Sequence, residues 1–303
     1  MTDEARHEPD GQPLWNESYY MDFTTADGTL GGYIRIGLYP GLGVAWYWGC
    51  VVGEGRPLVT VIEHEAPLPS GRQSLELRSE GLWCDHTVEE PFEHFTLGLE
   101  AFGVAVDDPA EVYRDGGGRG DRAALGFDLE WETDGGVYRY PGVTRYEIPC
   151  RVHGEILVGD ERIEFDGHGQ RDHSWGTRDW WTFGWVWTAG RLGDGTRFHG
   201  SDIRIPNLDL SFGYVVPPDG ELQPARGFEA GEALGSEGFP TSARMRLDQL
   251  AMDVTPLYFS PVRLDAPDGR VSRFPRALCR FVEDDGRAGH GWTEWNQPPP
   301  PPA

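Results

Sequence analysis

The sequence contains no lysine, so all 26 of its basic residues are arginines, set against 50 acidic residues for a formal net charge of −24. Without a lysine amine, Schiff-base chemistry, pyridoxal attachment and a Walker-type phosphate loop are excluded. The acidic excess disfavours binding to the phosphate backbone of nucleic acids and to anionic lipid surfaces. Arginine is therefore the only side chain left to supply a permanent positive charge at a site.

Cysteine is scarce and long apolar runs are missing. The cysteines are scattered and form no C-x-x-C pair, which predicts reduced, buried thiols at Cys50, Cys84, Cys150 and Cys279. No run approaches the ~18 apolar residues of a membrane span. The acidic stretch that opens the sequence lacks the apolar core of an export signal. We therefore expect a cytoplasmic protein that does not insert into membranes.

Motifs for metals and nucleotides are missing as well. The sequence has no H-E-x-x-H or H-x-H spacing, no G-x-S-x-G nucleophile elbow and no dinucleotide-binding fingerprint. We therefore predict no metal ion and no cofactor. The residues that could in principle supply metal ligands are His168, Asp172, His173 and His199.

Glycine and proline are abundant, at 42 and 24 of 303 residues, which predicts many turns. Residues alternate in character between Tyr33 and Leu38, and again after Val152, as in half-buried strands. Turn signals such as Ala26-Asp27-Gly28 and Asp284-Asp285-Gly286 separate such stretches. We predict an all-β chain of about twenty short strands, closed into barrels or stacked sheets.

Helical periodicity is confined to two places. Residues 243–252 are the best helix candidate, and residues 109–114 could give a single turn. At ~150 residues per domain, the length favours two domains. We predict one domain at residues 1–165 and a second at 166–297, followed by a proline-rich, disordered tail at 298–303.

Residues 167–187, GHGQRDHSWGTRDWWTFGWVW, combine tryptophans with His168, Asp172, His173 and Arg178. A buried indole N–H needs a hydrogen-bond partner, so this composition favours a cavity wall with a few fixed polar groups. A barrel core with a structural Arg–Asp pair is the alternative. Asp172 and His173 are adjacent on a strand and point to opposite faces, so one can face the cavity while the other anchors the wall. A hydrogen-bonded core histidine stays an alternative for His173.

The run Asp172-His173-Ser174-Trp175-Gly176 is followed by the strand Trp185-Val186-Trp187 and a Gly-Asp-Gly hairpin. This pattern resembles the carotenoid 1,2-hydratase (hydroxyneurosporene synthase) superfamily, which includes lipocalin-like Diels–Alderases. The resemblance implies two lipocalin-like β-barrel domains that meet near the motif, with a hydrophobic pocket for polyenes or terpenoids. The family has Asn where Ser174 stands. Residues 289–295 resemble an uncharacterised branch of the superfamily rather than the hydratases.

The same resemblance implies an acid, one hairpin after the motif, that protonates a substrate double bond, and the spacing assigns this role to Asp202. The family's tyrosine two residues earlier is Gly200 here. The local residues agree, because Asp202 shares a strand face with Phe198, and a carboxyl buried against tryptophans has a raised pKa. Arg204 lies on the same face, so a structural Asp–Arg pair is the alternative.

Glu294 lies between two tryptophans and is a second candidate acid, with exposed charge on an edge strand as the alternative. We predict a cofactor-free hydratase, cyclase or isomerase in which Asp202 or Glu294 protonates a C=C bond of an isoprenoid or polyene. His173 orients the acid, and Asp172 is a further acid–base group. The predicted substrate contacts are Trp175, Trp180, Trp181, Trp185, Trp187, Phe198, Tyr19, Trp46 and Trp292. A lipocalin-like carrier that binds an apolar metabolite unchanged is the alternative.

Overall fold

The computed structural model describes residues 3–114, 119–266 and 268–299. Over these residues the chain is all-β, as the sequence predicts, and forms 22 strands without an α-helix. The one helical turn in this described part is a 3-10 helix, Pro109–Tyr113, where the sequence predicts a single turn. The side chain of Asp108 caps it by accepting a hydrogen bond from the backbone N–H of Ala110 at 3.0 Å. Residues 300–303 of the predicted tail lie outside the described residues.

The first sheet contains β1 (Trp15–Thr24), β2 (Leu30–Tyr39), β3 (Val44–Gly53), β4 (Leu58–Pro67), β5 (Leu77–Ser79), β6 (Leu82–Glu90), β7 (His94–Val106), β8 (Asp121–Thr133), β9 (Tyr138–Arg139), β10 (Arg145–Val158) and β11 (Glu161–Thr177). Its order is β4-β3-β2-β1-β11-β10-β8-β7-β6-β5, with β9 paired to β10. Because β4 also pairs with β7, the strands between them in this order close into an antiparallel barrel. Apolar side chains fill its interior.

The second sheet contains β12 (Gly184–Leu192), β13 (Arg197–Ile205), β14 (Leu208–Val216), β15 (Gln223–Pro224), β16 (Phe228–Leu234), β17 (Pro240–Leu247), β18 (Leu250–Phe259), β21 (Arg276–Glu283) and β22 (Ala288–Asn296). Its order is β15-β14-β13-β12-β22-β21-β18-β17-β16. A separate hairpin is formed by β19 (Val262–Asp265) and β20 (Val271–Phe274). The second sheet has an apolar core of its own.

A cluster of aromatic residues lies between the two sheets. Every residue of β1 and β2 is buried, because the second sheet covers the face of these strands that points out of the first barrel. Trp292 donates its indole N–H to the carbonyl of Phe23 (3.1 Å), and Tyr33 donates its hydroxyl to the carbonyl of Ser260 (3.1 Å). We call this group the intersheet cluster; its large side chains are Tyr20, Tyr33, Tyr39, Trp46, Trp48, Trp180, Trp181, Trp187, Phe274 and Trp292.

The chain passes from the first sheet to the second between Thr177 and Gly184. Both pairing partners of β11, namely β1 and β10, belong to the first sheet. The predicted boundary after residue 165 therefore falls within a strand of that sheet. The division into two domains stays a prediction, and the strand pairing favours placing its boundary after Thr177.

The helix predicted at residues 243–252 is wrong. This segment forms the end of β17 and the start of β18, which turn at Asp248 with a φ of 52°. Met245 and Leu247 are buried, whereas Arg244 and Arg246 are exposed. This two-residue period is that of a strand with one buried face, and it outweighs the helix-forming composition of the segment.

All four cysteines are unpaired and buried, which confirms the prediction of core thiols. Burial raises the pKa of each thiol to about 12, so the reactive thiolate is not populated near neutral pH. The described residues include no helix with the length and apolar character needed to cross a bilayer.

The strand alternation at β17 predicts a sharp difference between neighbouring substitutions. We expect Met245→Ala to lower the free energy of unfolding by about 2–5 kcal/mol, because the fully buried side chain leaves a cavity. Its neighbour on the exposed face provides the control, and Arg246→Ala is expected to change stability by at most about 0.5 kcal/mol. Urea unfolding measures both. Similar losses for the two variants would contradict the two-residue period.

Candidate functional site

β11 presents Asp172 and His173 on opposite faces. His173 points into the first barrel, where its ring stacks on Tyr19 with 4.0 Å between centroids and its Nδ1 lies 3.2 Å from the hydroxyl of Tyr146. Asp172 points out of the barrel, and Arg145 donates a hydrogen bond to its carboxylate at 2.7 Å. The two residues therefore lie in separate environments.

A small, partly open pocket lies between the sheets, with a cavity volume of about 20 Å³, which is room for about one water molecule. The first barrel contributes one side of its wall, and β20, β21 and β22 contribute the other. The wall combines aromatic rings with charged groups, from Ser18, Tyr20, Arg35, Trp48, Arg145, Asp172, Arg178, Trp180, Phe274, Arg276 and Glu294. Two of the four predicted catalytic residues, Asp172 and Glu294, are therefore brought together here, while His173 is not.

Two ion pairs form part of this wall. Arg145 Nη2 lies 2.7 Å from Asp172 Oδ2, and Arg276 Nη2 lies 2.8 Å from Glu294 Oε2. The guanidinium of Arg276 also stacks over the ring of Tyr33, 3.9 Å from its centroid. None of the four charged side chains is more than 13% exposed, so solvent screens these pairs only weakly.

Burial raises the pKa of Asp172 to about 7, against the opposing attraction of Arg145. The charged groups that act on it from the surrounding strands are Arg145, Glu147, Arg178 and Glu294, of which the two carboxylates raise its pKa further. A carboxyl with this pKa keeps its proton in a good fraction of molecules at neutral pH. It can therefore act as a general acid.

Behind the pocket, the fully buried carboxylate of Glu147 links the two sheets. It accepts hydrogen bonds from Arg145 Nε (2.7 Å) on its own strand and from the indole N–H of Trp187 (3.0 Å) on the second sheet. Gln170 Nε2 (2.9 Å) and the hydroxyl of Tyr140 (3.3 Å) also donate to it, and His199 Nε2 on the second sheet lies 3.8 Å away. Burial alone would raise the pKa of Glu147, but the charge of Arg145 and these hydrogen bonds lower it overall.

Six of the predicted substrate-contacting aromatics lie in or around the pocket. Trp180 lines it, and Trp185 donates its indole N–H to the lining residue Glu294 at 3.0 Å. The other four belong to the surrounding intersheet cluster: Trp46, Trp181, Trp187 and Trp292.

The other three predicted contacts lie elsewhere. Trp175 stacks on His7 with 3.7 Å between centroids, and Tyr19 stacks on His173 within the first barrel. Phe198 belongs to the core of the second sheet. None of these three side chains is among the residues that line the pocket.

Asp202 lies on the face of β13 that points away from the intersheet cluster. Its carboxylate pairs with Arg204 at 3.3 Å, which is the Asp–Arg pair that the sequence leaves as the alternative. The opposite face of β13 carries His199, whose Nε2 lies 2.7 Å from the hydroxyl of Tyr140 in the first sheet. The expectation that Asp202 opposes the tryptophans therefore differs from the structure. Alternation tells which residues share a face, but not which face meets the other sheet.

A second group of titratable residues is formed by His7, Glu17 and His173, which each offer one ligand atom within 4.8 Å of the others. Glu17 Oε1 lies 2.8 Å from His7 Nδ1 and 2.6 Å from His173 Nε2, as expected for hydrogen bonds. Burial alone would raise the pKa of Glu17, but these hydrogen bonds lower it overall. Within the described chain these are the residues that could hold a metal ion, and the expected lack of a metal stays a prediction.

Four polar groups of the pocket region are not found by sequence reasoning: Arg35, Arg145, Glu147 and Arg276. Arg35 carries the clearest signal, because it is the only charged residue of an otherwise apolar or small strand, LGGYIRIGLY. A charge in such a strand is expected to meet a polar partner or a ligand. Arg145 and Glu147 are two residues apart and share a strand face. The local sequence around Arg276 contains no comparable signal.

Removal of the buried carboxylate between the sheets is expected to be costly. We expect Glu147→Ala to lower the free energy of unfolding by about 3–5 kcal/mol, because the buried donors around it lose their acceptor. Glu155→Ala, on the same strand, is the control; its carboxylate is 43% exposed and pairs with Arg162, so we expect a change below about 1 kcal/mol. Urea unfolding measures both, and equal losses would contradict the structural role of Glu147.

Three solved structures share this fold over most of their lengths. A candidate AttH from Nitrosomonas europaea has a TM-score of 0.62 at 16% identity, covering 93% of this chain and 92% of that one. CghA has a TM-score of 0.61 at 9% identity, covering 97% and 94%. Kievitone hydratase from Nectria haematococca has a TM-score of 0.60 at 11% identity, covering 94% and 90%. At 9–16% identity these likenesses show a shared fold, as the resemblance of the motif implies.

No curated protein sequence matches the chain. Its whole described length is instead covered by one family of sequences. Residues 1–299 match the family described as a domain of unknown function, DUF7064, and the chain belongs to that family.

Proposed function

We propose that this chain is a cofactor-free enzyme of the hydratase, isomerase or cyclase type, and that Asp172 donates a proton to a small unsaturated substrate bound between the sheets. The observation that carries the proposal is the buried carboxyl of Asp172 in the wall of an aromatic pocket, where burial raises its pKa. A general acid is most effective when its pKa lies near the working pH. Glu294, in the same wall, is the second acid–base group.

The comparisons support an enzyme rather than a carrier. One protein with this fold is by name a hydratase, and the motif at residues 172–176 resembles a superfamily of hydratases and Diels–Alderases. A carrier needs an apolar cavity but has no use for a carboxyl with a raised pKa. Burying ionisable groups costs stability, which favours a chemical role for them.

The surroundings of Asp172 suit the loss of its proton. When the carboxyl gives the proton to a substrate carbon, the carboxylate that forms is stabilised at once by Arg145, which is already at 2.7 Å. Glu147 accepts from Nε of the same guanidinium and so holds Arg145 in place. In a hydration, water adds to the substrate and gives its extra proton to Glu294. In an isomerisation, a neighbouring carbon gives a proton to Glu294. In a cyclisation, a second double bond attacks the activated carbon and a proton then leaves to Glu294.

The pocket wall indicates a substrate that is partly apolar. Tyr20, Trp48, Trp180 and Phe274 provide aromatic surface for a hydrocarbon or ring. The terpenoid or polyene class implied by the resemblance is our proposal for this part of the molecule. Because the cavity holds only about one water molecule, binding of such a substrate requires the walls of the pocket to move apart. A cytoplasmic location also stays part of the proposal, and the four unpaired thiols are typical of a reducing compartment.

The test of the acid compares two Asp→Asn variants. Purified protein is incubated with a library of terpenoids, polyenes and unsaturated acids, and products are identified by chromatography and mass spectrometry. We expect Asp172→Asn to lower kcat/KM by about 10²–10⁴-fold, the usual contribution of a general acid. Asp202→Asn makes the same chemical change outside the pocket and is expected to retain turnover.

Two other results would change the assignment. Loss of turnover in Asp202→Asn with retention in Asp172→Asn would return the acid to the position that the superfamily resemblance indicates. A library whose members all stay chemically unchanged, while some shift the tryptophan fluorescence, would make the chain a carrier.

The raised pKa of Asp172 also predicts how stability depends on pH. In the unfolded chain an Asp titrates near pH 4, so between about pH 4 and pH 7 the folded protein binds more protons than the unfolded one. The free energy of unfolding therefore falls as the pH rises through this window. Asp172→Asn cannot titrate, so its stability is expected to lack this fall. Urea unfolding of both proteins between pH 4 and 8 measures the difference, and parallel curves would contradict the raised pKa.

A further inference from the structure

The pocket contains more positive than negative charge. Its wall carries four guanidinium groups, from Arg35, Arg145, Arg178 and Arg276, but only two carboxylates, Asp172 and Glu294. When Glu147 behind the wall is also counted, the pocket region has four positive and three negative charges. A chain with a net charge of −24 thus concentrates its arginines at this place.

Arg35 is buried without an ionic partner. Its side chain is 3% exposed, and within the described residues no carboxylate lies at ion-pair distance from it. Nη2 donates long hydrogen bonds to Asn16 Oδ1 (3.4 Å) and the hydroxyl of Tyr39 (3.3 Å), while Nη1 has no hydrogen-bond partner. A buried cation of this kind is costly, and an anionic ligand would supply the partner that Nη1 lacks.

The position of the Arg35 guanidinium is fixed by its surroundings. It lies over the ring of Trp48, 4.5 Å from the centroid, and 5.1 Å from that of Trp180. A Cβ at Gly37 would come within 2.5 Å of Nη1, so a side chain there would displace the guanidinium. Aromatic faces orient the group without neutralising its charge.

Arg178 also approaches Trp180. In the described part of the chain no carboxylate lies at ion-pair distance from it, and Asp172 attracts it from farther away. Its guanidinium is 5.3 Å from the ring centroid of Trp180, and Nη2 donates to Ser174 Oγ at 3.0 Å. Burial, with the nearby charges of Arg145 and Arg35, lowers its pKa to about 10. Two guanidinium groups that repel each other are thus held on one aromatic ring, where an anion between them would relieve the repulsion.

We propose that Arg35 and Arg178 bind a carboxylate of the substrate, and that this carboxylate is conjugated to the double bond that Asp172 protonates. The inference rests on the proposed function and names its substrate class: an α,β-unsaturated acid with an apolar remainder. A planar carboxylate suits guanidinium groups, which bind it through paired N–H donors.

The surplus charge also decides which intermediate the pocket can stabilise. A carbocation from an isolated polyene would form among unpaired guanidinium groups and be repelled by them. Negative charge that moves onto a conjugated carboxylate would instead be stabilised by Arg35 and Arg178. The pocket therefore favours addition through an anionic state over protonation of a plain hydrocarbon.

The addition of water can be written in full for such a substrate. A lone pair of the water oxygen forms the C–O bond at the β-carbon, and the π pair of the double bond moves toward the carboxylate. That pair then forms the α-carbon–hydrogen bond with the proton of Asp172. Glu294 takes the proton that the water loses and then releases it to solvent, while solvent returns a proton to Asp172. One water is added, and nothing is oxidised or reduced.

The binding test uses crotonate and its neutral analogue crotonamide, which have similar shapes. Saturation-transfer NMR at constant ionic strength gives the Kd of each. We expect wild-type protein to bind crotonate at least tenfold more tightly than crotonamide, and Arg35→Met and Arg178→Met each to lose most of that preference. Equal affinities, the absence of crotonate binding, or an unchanged preference in both variants would overturn the proposal.

A stability measurement separates a ligand-binding role of Arg35 from a structural one. Without ligand, Arg35→Met is expected to unfold at the same or a higher temperature than wild type, because it removes an unpaired buried cation. Arg276→Met makes the same change but leaves Glu294 without its ion-pair partner, so its Tm is expected to fall. A loss of Tm in Arg35→Met as large as that in Arg276→Met would show that Arg35 is structural.

Asp172→Asn distinguishes this inference from the proposed function on which it rests. The variant keeps both arginines, so it is expected to retain the preference for crotonate while losing turnover. Retained turnover together with the preference would refute Asp172 as the acid and leave the anion site standing. If Asp172→Asn loses turnover of a neutral substrate and the protein shows no preference for crotonate, the anion site alone would be refuted.

Discussion

The buried carboxylate of Glu147 is the constraint on which the arrangement of the two sheets depends. A charge removed from water must have its oxygens satisfied by donors, and here the donors come from both sheets: Arg145 and Gln170 on the barrel side and Trp187 on the other. The sheets cannot slide or separate without breaking the hydrogen bond that Trp187 donates to this buried carboxylate. Their relative position is thereby fixed, and with it the pocket that lies between them.

This arrangement converts the outer face of a barrel into the wall of a site. In a barrel standing alone, the outward side chains of β1, β2 and β11 would face water; here the second sheet covers them. Asp172 is consequently desolvated, which raises its pKa, and Arg35 loses water without gaining a carboxylate. Both effects cost folding free energy. Functional sites often carry local costs of this kind. Here the well-packed aromatic cluster around the site offsets the lost folding free energy.

The sequence predicts the part of this picture that depends on local pattern. Alternation and turn residues give the all-β class, and the composition of residues 167–187 leads to Asp172 and its tryptophans. Contacts between strands that are far apart in the chain are not encoded in any local pattern. In the sequence, Arg35 therefore looks like one more outward residue of an alternating strand. Asp202 lies on a strand near the site, but on the face of that strand that points away from the site. At residues 243–252, the helix-forming composition led to a helix prediction, whereas the segment forms strands with a two-residue period of burial.

Proton and anion binding at this pocket are linked by the charges on its wall. A carboxylate held by Arg35 and Arg178 adds a negative charge near Asp172, which raises the pKa of Asp172 further and favours its protonated form. By the reciprocity of linked equilibria, the protonated form of Asp172 must bind the carboxylate more tightly than the ionised form does. An anionic substrate thus brings the acid into its active state by binding, whereas a neutral polyene would leave the protonation of Asp172 as it is. The same arginines that select the substrate therefore also prepare the group that acts on it.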